Sequence, residues 1–211
     1  MRMYNGSTAA GALDGRREER CQAMMDAAEA LFLERGFERT SLNAIVARSG
    51  GSLATLYDAF GNKQKLLHAV VARMREKALN DLGDLAKQMS SPREVLLYVA
   101  RRFHEFATAP RTIAFMRVVI AQSLNDPEFG RAFHRDMHQR TVEGLAAAFS
   151  EWTRQGKARI PDPELAANLY FASVMSDAPL KAMMGIAPEP TSEKILKARL
   201  EPFLEYFRVG D

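Results

Sequence analysis

Side chains that can exchange hydrogen bonds with phosphate groups or with bases are concentrated between residues 40 and 63. Hydroxyl groups and the free N–H groups of a helix start are common phosphate contacts, and lysine and tyrosine add further donors. Small and apolar side chains lie among them, which permits a close approach to base edges in a groove. The pattern therefore indicates a nucleic-acid contact, with an ordinary helical hairpin as the alternative. The candidates are Thr40, Ser41, Ser52, Leu53, Ala54, Thr55, Tyr57 and Lys63.

Two short helices joined by a tight turn, over residues 41–60, would position these side chains. Apolar residues recur at helical spacing on both sides of Gly50-Gly51, and glycine accepts the backbone angles that a sharp turn needs. Ser52 can cap the second helix, while Thr40 or Ser41 caps the first and leaves the other hydroxyl free. A helix-turn-helix of this layout places its second helix in the DNA major groove, with N-terminal residues at the base edges.

Three segments within residues 27–67 read AAEALFLERGFERTS, IVARSGGS and ATLYDAFGNKQKLL. In this order and without gaps, they resemble the DNA-binding signature of the tetracycline-repressor (TetR) family. The resemblance implies that Lys63 faces the DNA, and together with Thr40 and Tyr57 it is predicted to contact phosphates. Ser41 and the residues that open the second motif helix complete the predicted DNA contact.

Two residues depart from the family pattern. Gly51 stands where the family usually has an apolar residue that packs the turn, and Leu53 stands where a polar residue is common. Because Leu53 lies at the start of the predicted recognition helix, the base preference cannot be read from the sequence.

Composition permits a substantial core and argues against several classes of protein. The chain has 211 residues, 47% of them apolar, and a net charge of +3 with a pI near 9.1, which is too weak a bias to indicate nucleic acid by itself. The single cysteine, Cys21, excludes an internal disulfide and fits a reducing cytoplasm. No apolar run approaches the roughly 20 residues of a membrane span, and no signal peptide is recognised. Common catalytic and cofactor motifs are absent, so neither an enzyme nor a cofactor is predicted.

Helix-start signals divide the remainder of the chain. Ser91-Pro92, Asp126-Pro127 and Asp162-Pro163 each place a capping residue before a proline at the first helical position. Pro179 is expected to kink or break its helix, and Pro202 to bend the last one. The chain is therefore predicted to be all-α with about nine helices: a three-helix helix-turn-helix head and a helical-bundle body. The predicted parts are a disordered tail at 1–15, the DNA-binding head at 16–80 and the effector-binding and dimerisation body at 81–211.

The body is rich in large apolar side chains with polar groups among them. The segments RVVIAQSLNDPEFGRAF and GKARIPDPELAANLYFASVMSD are similar to the effector domain of multidrug-efflux regulators, and in the TetR family this body encloses a cavity for a small inducer. Core packing is the alternative for each residue. The candidate ligand contacts are Phe103, His104, Phe115, Met116, Val119, His134, Met137, Phe171 and Met175, with Gln122, His138 and Ser173 as further polar groups.

His134 and His138 lie four residues apart on one predicted helix, a spacing that can bind a metal ion. A metal site needs further ligands, and only His104 is available. Hydrogen-bonded or solvated histidines are therefore the preferred interpretation, and no metal is predicted.

The last two predicted helices carry small residues on the first and the large residues Leu196, Leu200, Phe203 and Phe207 on the second. The family dimerises through such a pair, and two recognition helices about 34–36 Å apart reach successive major grooves. The alternative is that these helices only cover the core of a monomer. The sequence thus predicts a cytoplasmic, homodimeric repressor that a small apolar or amphipathic ligand releases from a palindromic operator. A helical carrier of small molecules or lipids and a ligand-independent DNA-binding protein are the alternatives.

Overall fold

The computed structural model describes residues 7–79, 89, 91–187 and 192–210, with the backbone alone for 7–14, 78 and 79. These residues form ten helices and no strand, so the all-α prediction is confirmed. The count exceeds the predicted nine because the chain breaks beside Pro179, whose ring removes a backbone donor. The helices are α1 Ser7–Arg35, α2 Leu42–Ser49, α3 Leu53–Phe60, α4 Lys63–Leu79, α5 Pro92–Thr108, α6 Pro110–Asn125, α7 (Pro127–His134, a π-helical turn Arg135–Gln139, and Arg140–Arg154), α8 Pro163–Met175, α9 Ala178–Met183 and α10 Glu193–Tyr206.

The chain divides into two compact units within α4, an N-terminal unit of residues 1–73 and a C-terminal unit of residues 74–211. The predicted boundary, between residues 80 and 81, falls just beyond the same helix, and residues 80–88 lie outside those described. α1 begins at Ser7, inside the stretch predicted as a tail, and its first turns are rich in alanine, a strong helix former. Residues 1–6 lie outside those described, so a tail there stays a prediction.

Buried apolar side chains hold the N-terminal unit together. Ile45 from α2 and Leu56 from α3 are fully buried, and both short helices pack against α1. The face of α1 that helical spacing predicts is buried as well. It consists of Met24, Ala28, Leu31 and Phe32.

A buried ion pair fastens α4 to α1. Arg73 is 8% exposed and donates to the carboxylate of Glu29 at 3.0 Å, with Asp26 at 2.8 Å. Glu29 is buried too, so both charges of that pair are removed from water. Because loss of one partner would leave an uncompensated charge in the core, this pair specifies how α4 packs on α1.

The turn between α2 and α3 is built on Gly50 and Gly51, with φ angles of +76° and +93°. A Cβ on Gly51 would lie 3.0 Å from Cε of Met24. The side chain of Met24 therefore occupies the space that an apolar residue at position 51 would otherwise fill. The turn stays packed although residue 51 departs from the family pattern.

An aromatic cluster forms the core of the C-terminal unit. Phe149 of α7, Tyr170 of α8 and Phe203 of α10 are buried, with ring centroids 5.6 to 6.2 Å apart. The Tyr170 hydroxyl donates to the carbonyl of Leu96 in α5 at 2.6 Å. Four helices, α5, α7, α8 and α10, therefore meet at this cluster.

The large apolar residues of α10 face this core, and the helix continues through Pro202. Their predicted place in a subunit interface is wrong, because within one chain they already pack against the buried residues of α5 and α8. The bend at Pro202 stays a prediction. The residues are Leu196, Leu200, Phe203 and Phe207.

Helices α6 and α7 approach each other closely at Gly130. A Cβ at this position would lie 2.9 Å from Cβ of Ser123 and 3.6 Å from its Cα. Such a distance to a short side chain cannot be relieved by rotating a flexible tip, so the crossing requires glycine. Gly144, in the same helix, has nothing within 4 Å of its Cβ position.

We expect Gly130→Ala to lower the free energy of unfolding by about 1–3 kcal/mol, because overpacking outweighs the better helix propensity of alanine. Gly144→Ala is the matched control and should raise stability by about 0.5–1 kcal/mol. Urea unfolding followed by circular dichroism measures both changes. Equal effects of the two substitutions would contradict the close crossing.

Candidate functional site

The outward face of α3 carries the residues predicted to approach DNA bases. The Oγ of Ser52 accepts a hydrogen bond from the Thr55 N–H at 3.1 Å and lies 2.9 Å from the Thr55 hydroxyl, so Ser52 caps the helix as predicted. Burial of Leu56 fixes the rotation of α3 about its axis. As a result Ser52 and Ala54 are exposed, Tyr57 is 52% exposed, and Leu53 and Thr55 are half-buried.

The two hydroxyls before α2 have different roles. Ser41 is exposed and caps α2, accepting from the Ala44 N–H at 3.1 Å. Thr40 is only 1% exposed, and its hydroxyl lies 2.8 Å from the Gly36 carbonyl and 3.2 Å from the Leu31 carbonyl, to which it can donate. The expectation of a free hydroxyl at Thr40 is therefore wrong, because backbone carbonyls at the end of α1 already bind it.

Lys63 also contacts the connection between α1 and α2. Its Nζ donates to the carbonyls of Phe37 at 2.9 Å and Thr40 at 3.1 Å, and it lies 4.2 Å from the centroid of the Phe37 ring. These contacts hold the ammonium group against the α1–α2 connection. The prediction that Lys63 is a phosphate contact is not supported by this geometry, in which the cation positions the start of α2.

Lys65, which the sequence-based prediction missed, is an exposed cation of this region. Its backbone N–H donates to Oδ1 of Asn62 at 2.8 Å, and its side chain passes within 4 Å of the position that a Cβ on Gly61 would take. Gly61 is the C-cap of α3. The ammonium group therefore lies beside the C-terminal end of α3, where the helix dipole favours a cation.

In the C-terminal unit, four rings from three helices stand in a row. Phe103 of α5 meets the Phe171 ring of α8 edge to face at 6.1 Å between centroids, and His138 of α7 meets Phe171 in the same way at 4.7 Å. His134 lies next in line, 4.9 Å from His138. Phe103, Phe171 and His138 are half-buried and His134 is exposed, so the row, called the ring row below, leads outward from the core.

The surroundings of His138 disfavour its charged form. Partial burial, followed by the neighbouring His134, lowers the pKa of His138 below its ordinary value, and a hydrogen bond with Asn168 opposes the shift. The imidazole is therefore mainly neutral near pH 7 and can accept or donate a hydrogen bond.

The π-helical turn of α7 is tied to α4. The Thr141 hydroxyl donates to the carbonyl of Met137 inside this turn at 2.9 Å and accepts from the guanidinium of Arg75 at 2.7 Å. Burial, and then the like charge of Arg140, lowers the pKa of Arg75. Isolated π-turns in helices are frequent at functional sites.

The remaining predicted ligand residues are more dispersed. Phe115 and Val119 are buried on α6, and Met116 is half-buried beside them, but none of these three joins the ring row in the part of the chain described. His104 is buried with Nδ1 3.4 Å from the Val174 carbonyl. Met137 and Met175 are half-buried.

Gln122 is 6% exposed and its Oε1 has no hydrogen-bond partner among the described residues. An orphaned buried acceptor costs about 1–3 kcal/mol. In the sequence, Gln122 is recognisable as a polar residue within an apolar helical stripe.

Within the described ranges, no three His, Cys, Asp or Glu side chains cluster in a way that could hold a metal ion. Cys21 is a half-buried free thiol. No helix in these ranges has the length and apolar character needed to cross a membrane.

A capped and outward-facing helix that follows a tight glycine turn, in a unit joined to an all-helical C-terminal unit, is the layout of a helix-turn-helix DNA-binding protein. The family model of tetR-family bacterial regulatory proteins matches residues 24–70, and that of the C-terminal domain of AefR-like transcriptional repressors matches residues 94–203. The chain belongs to the TetR family of transcriptional regulators.

Relatives agree with this assignment. The chain is 25% identical over 183 residues to the HTH-type transcriptional regulator BetI of Rhizobium meliloti (strain 1021), covering 82% of this chain and 87% of BetI. A TetR-family regulator from Mesorhizobium loti MAFF303099 superposes with a TM-score of 0.76 at 25% identity, covering 91% of this chain and 98% of that one. The flavonoid-responsive regulator FrrA gives a TM-score of 0.70 at 27% identity, covering 89% and 94%.

We expect Lys63→Met to lower the free energy of unfolding by about 1–3 kcal/mol, because it removes charge-assisted hydrogen bonds to two backbone carbonyls. Lys65→Met, an equal loss of charge at an exposed site, should change stability by less than about 0.5 kcal/mol. Urea unfolding of both variants provides the comparison. A Lys63→Met protein as stable as wild type would contradict the positioning role.

Proposed function

We propose that the chain is a cytoplasmic repressor that binds an operator of palindromic character as a homodimer and leaves it when a small ligand binds the C-terminal unit. The observation that carries this proposal is α3: its buried Leu56 and its cap at Ser52 present Ala54 and the half-exposed Tyr57 outward. The side chains along this face suit a helix in the major groove. Its place in the cytoplasm follows from its DNA partner.

The proposed DNA contacts follow the geometry of the N-terminal unit. Ser52, Leu53, Ala54 and Thr55 approach base edges, and Ser41, Tyr57 and Lys65 contact phosphates. Thr40 and Lys63 act indirectly, because their hydrogen bonds fix the turn that places Ser41.

Ligand response is supported by relatives. FrrA, whose name states that it is flavonoid-responsive, is similar to this chain along most of its length. The half-buried Phe103, Phe171 and His138 leave part of their ring surface open to a ligand.

The dimer face proposed here lies on the outward sides of α8 and α10, two helices that pack against each other. On α8, Leu165 and Leu169 are exposed one turn apart, with Leu169 at 46%. On α10 the exposed stripe runs from Ile195 to Tyr206. Apolar side chains left on adjacent helices mark an interaction surface.

Enrichment of protein-bound fragments from random DNA tests the regulator directly. We expect an inverted repeat with half-site centres about 34–36 Å apart, one helical turn of B-DNA or a multiple of it. On the selected site, Lys65→Met should reduce the slope of log affinity against log salt by about one, because one phosphate contact is lost. Lys63→Met should leave that slope unchanged. Failure to enrich any sequence would refute the proposal.

Leu169→Glu should weaken the dimer by about thirtyfold or more, since it buries a charge at the proposed interface. Leu124→Glu on α6, where Leu124 is 80% exposed, is the matched control and should leave the dimer intact. Sedimentation equilibrium measures both. A Leu169→Glu protein that dimerises like wild type would place the interface elsewhere.

A further inference from the structure

The ring row offers aromatic surface that the core leaves uncovered. The core cluster around Phe149 and Tyr170 joins α7 to α8, and Phe103 packs against this cluster while remaining partly exposed. Phe171 lies next to Tyr170 in the chain, yet it is only half-buried, and its ring plane is steeply inclined to those of Phe103 and His138. The part of the ring that stays exposed can make offset or edge-to-face contact with a further ring.

Hydrogen-bond donors are concentrated on the same stretch of α7. About two helical turns contain His134, His138, Arg140 and Thr141. The Thr141 hydroxyl accepts a hydrogen bond from the guanidinium of Arg75. The partner of Arg75 in this contact is a neutral hydroxyl, although burial and Arg140 both disfavour its charge. Within this stretch of α7 the acidic residues are Asp136, which lies 3.4 Å from Arg135, and the exposed Glu143.

From these two features we infer that the ring row and the adjoining cation Arg75 bind a planar aromatic anion, of which an aromatic carboxylate is the simplest kind. The inference rests on the proposed function, because it names the class of the effector. The ring of the ligand packs on Phe171 and Phe103. Its anionic group accepts hydrogen bonds from His138, from His134 and from Arg75, which exchanges Thr141 for the stronger acceptor.

This binding mode also gives the ligand a direct effect on α4. Arg75 belongs to α4, and its described hydrogen bond ends on the helix that carries the π-helical turn. An anion that takes this hydrogen bond changes the contact between α4 and α7 without disturbing the aromatic core.

Calorimetric titration of the full-length protein with four related probes tests the ligand class. The probes are 2-naphthoate, 2-naphthol, decalin-2-carboxylate and 2-naphthylmethylammonium. We expect 2-naphthoate to bind more tightly than two of these analogues by about tenfold or more. 2-Naphthol lacks the charge-assisted hydrogen bonds, and decalin-2-carboxylate lacks the aromatic ring contacts. The cation should not bind. Equal affinity for 2-naphthoate and either the cation or the saturated acid, or no binding of any probe, overturns the inference.

Single substitutions locate the site. His138→Gln, Arg75→Met and Phe171→Leu should each weaken 2-naphthoate binding by about tenfold. Arg131→Gln removes an exposed cation of α7 that pairs with Glu128, and it should leave binding unchanged. His134→Gln, at an exposed position, provides a variant whose fold is not at risk and should weaken binding in the same direction. Unchanged affinity in His134→Gln and His138→Gln places the probe elsewhere and contradicts the inference.

Operator affinity of the unliganded protein separates this inference from the proposed function. A protein that selects an inverted repeat but binds none of the probes contradicts the ligand class alone. A protein that binds 2-naphthoate but selects no DNA contradicts the regulator.

Discussion

The unpaired backbone groups at the ends of short helices are the constraint on which the DNA-binding unit depends. Helices α2 and α3 have eight residues each, and a helix leaves roughly four N–H groups and four carbonyls without partners inside it. Ser41 and Ser52 satisfy N–H groups, while Thr40 and Lys63 take the carbonyls between α1 and α2. Polar side chains in this region therefore serve the fold first, and only those left over can reach DNA.

The priority of contacts within the fold over contacts with DNA explains which sequence-based predictions succeed. The cap at Ser52 could be predicted because a hydroxyl before a helical stripe has a local partner three residues on. The roles of Thr40 and Lys63 could not, because a hydroxyl or an ammonium group suits a phosphate oxygen and a backbone carbonyl equally well. The choice depends on the path of residues 36–40, which brings the Phe37 carbonyl to a lysine 26 residues later. Lys65 was missed because the sequence does not show which of the two lysines, Lys63 or Lys65, is used by the fold and which is left exposed.

In the C-terminal unit, helical spacing predicts that an apolar face exists but not what covers it. The stripe of α10 from Leu196 to Phe207 is recognisable in the sequence, yet only the structure shows that it faces the core of the same chain. Exposed leucines on α8 then remain for a partner. The ring row likewise joins α5, α7 and α8, and no local pattern contains contacts between residues as distant as Phe103 and Phe171.

Helix α4 makes a polar contact in each unit. Lys63 at its start donates to backbone carbonyls of the N-terminal unit, and Arg75, near its end, donates to Thr141 of the C-terminal unit. A ligand can change DNA affinity only by the difference in its own affinity for the two states, typically about 1–3 kcal/mol. A hydrogen bond to a charged group contributes about 1.5–3 kcal/mol. Exchange of the hydrogen bond between Arg75 and Thr141 is therefore large enough to account for a response of this size, and the aromatic core, whose close packing resists small displacements, does not have to rearrange.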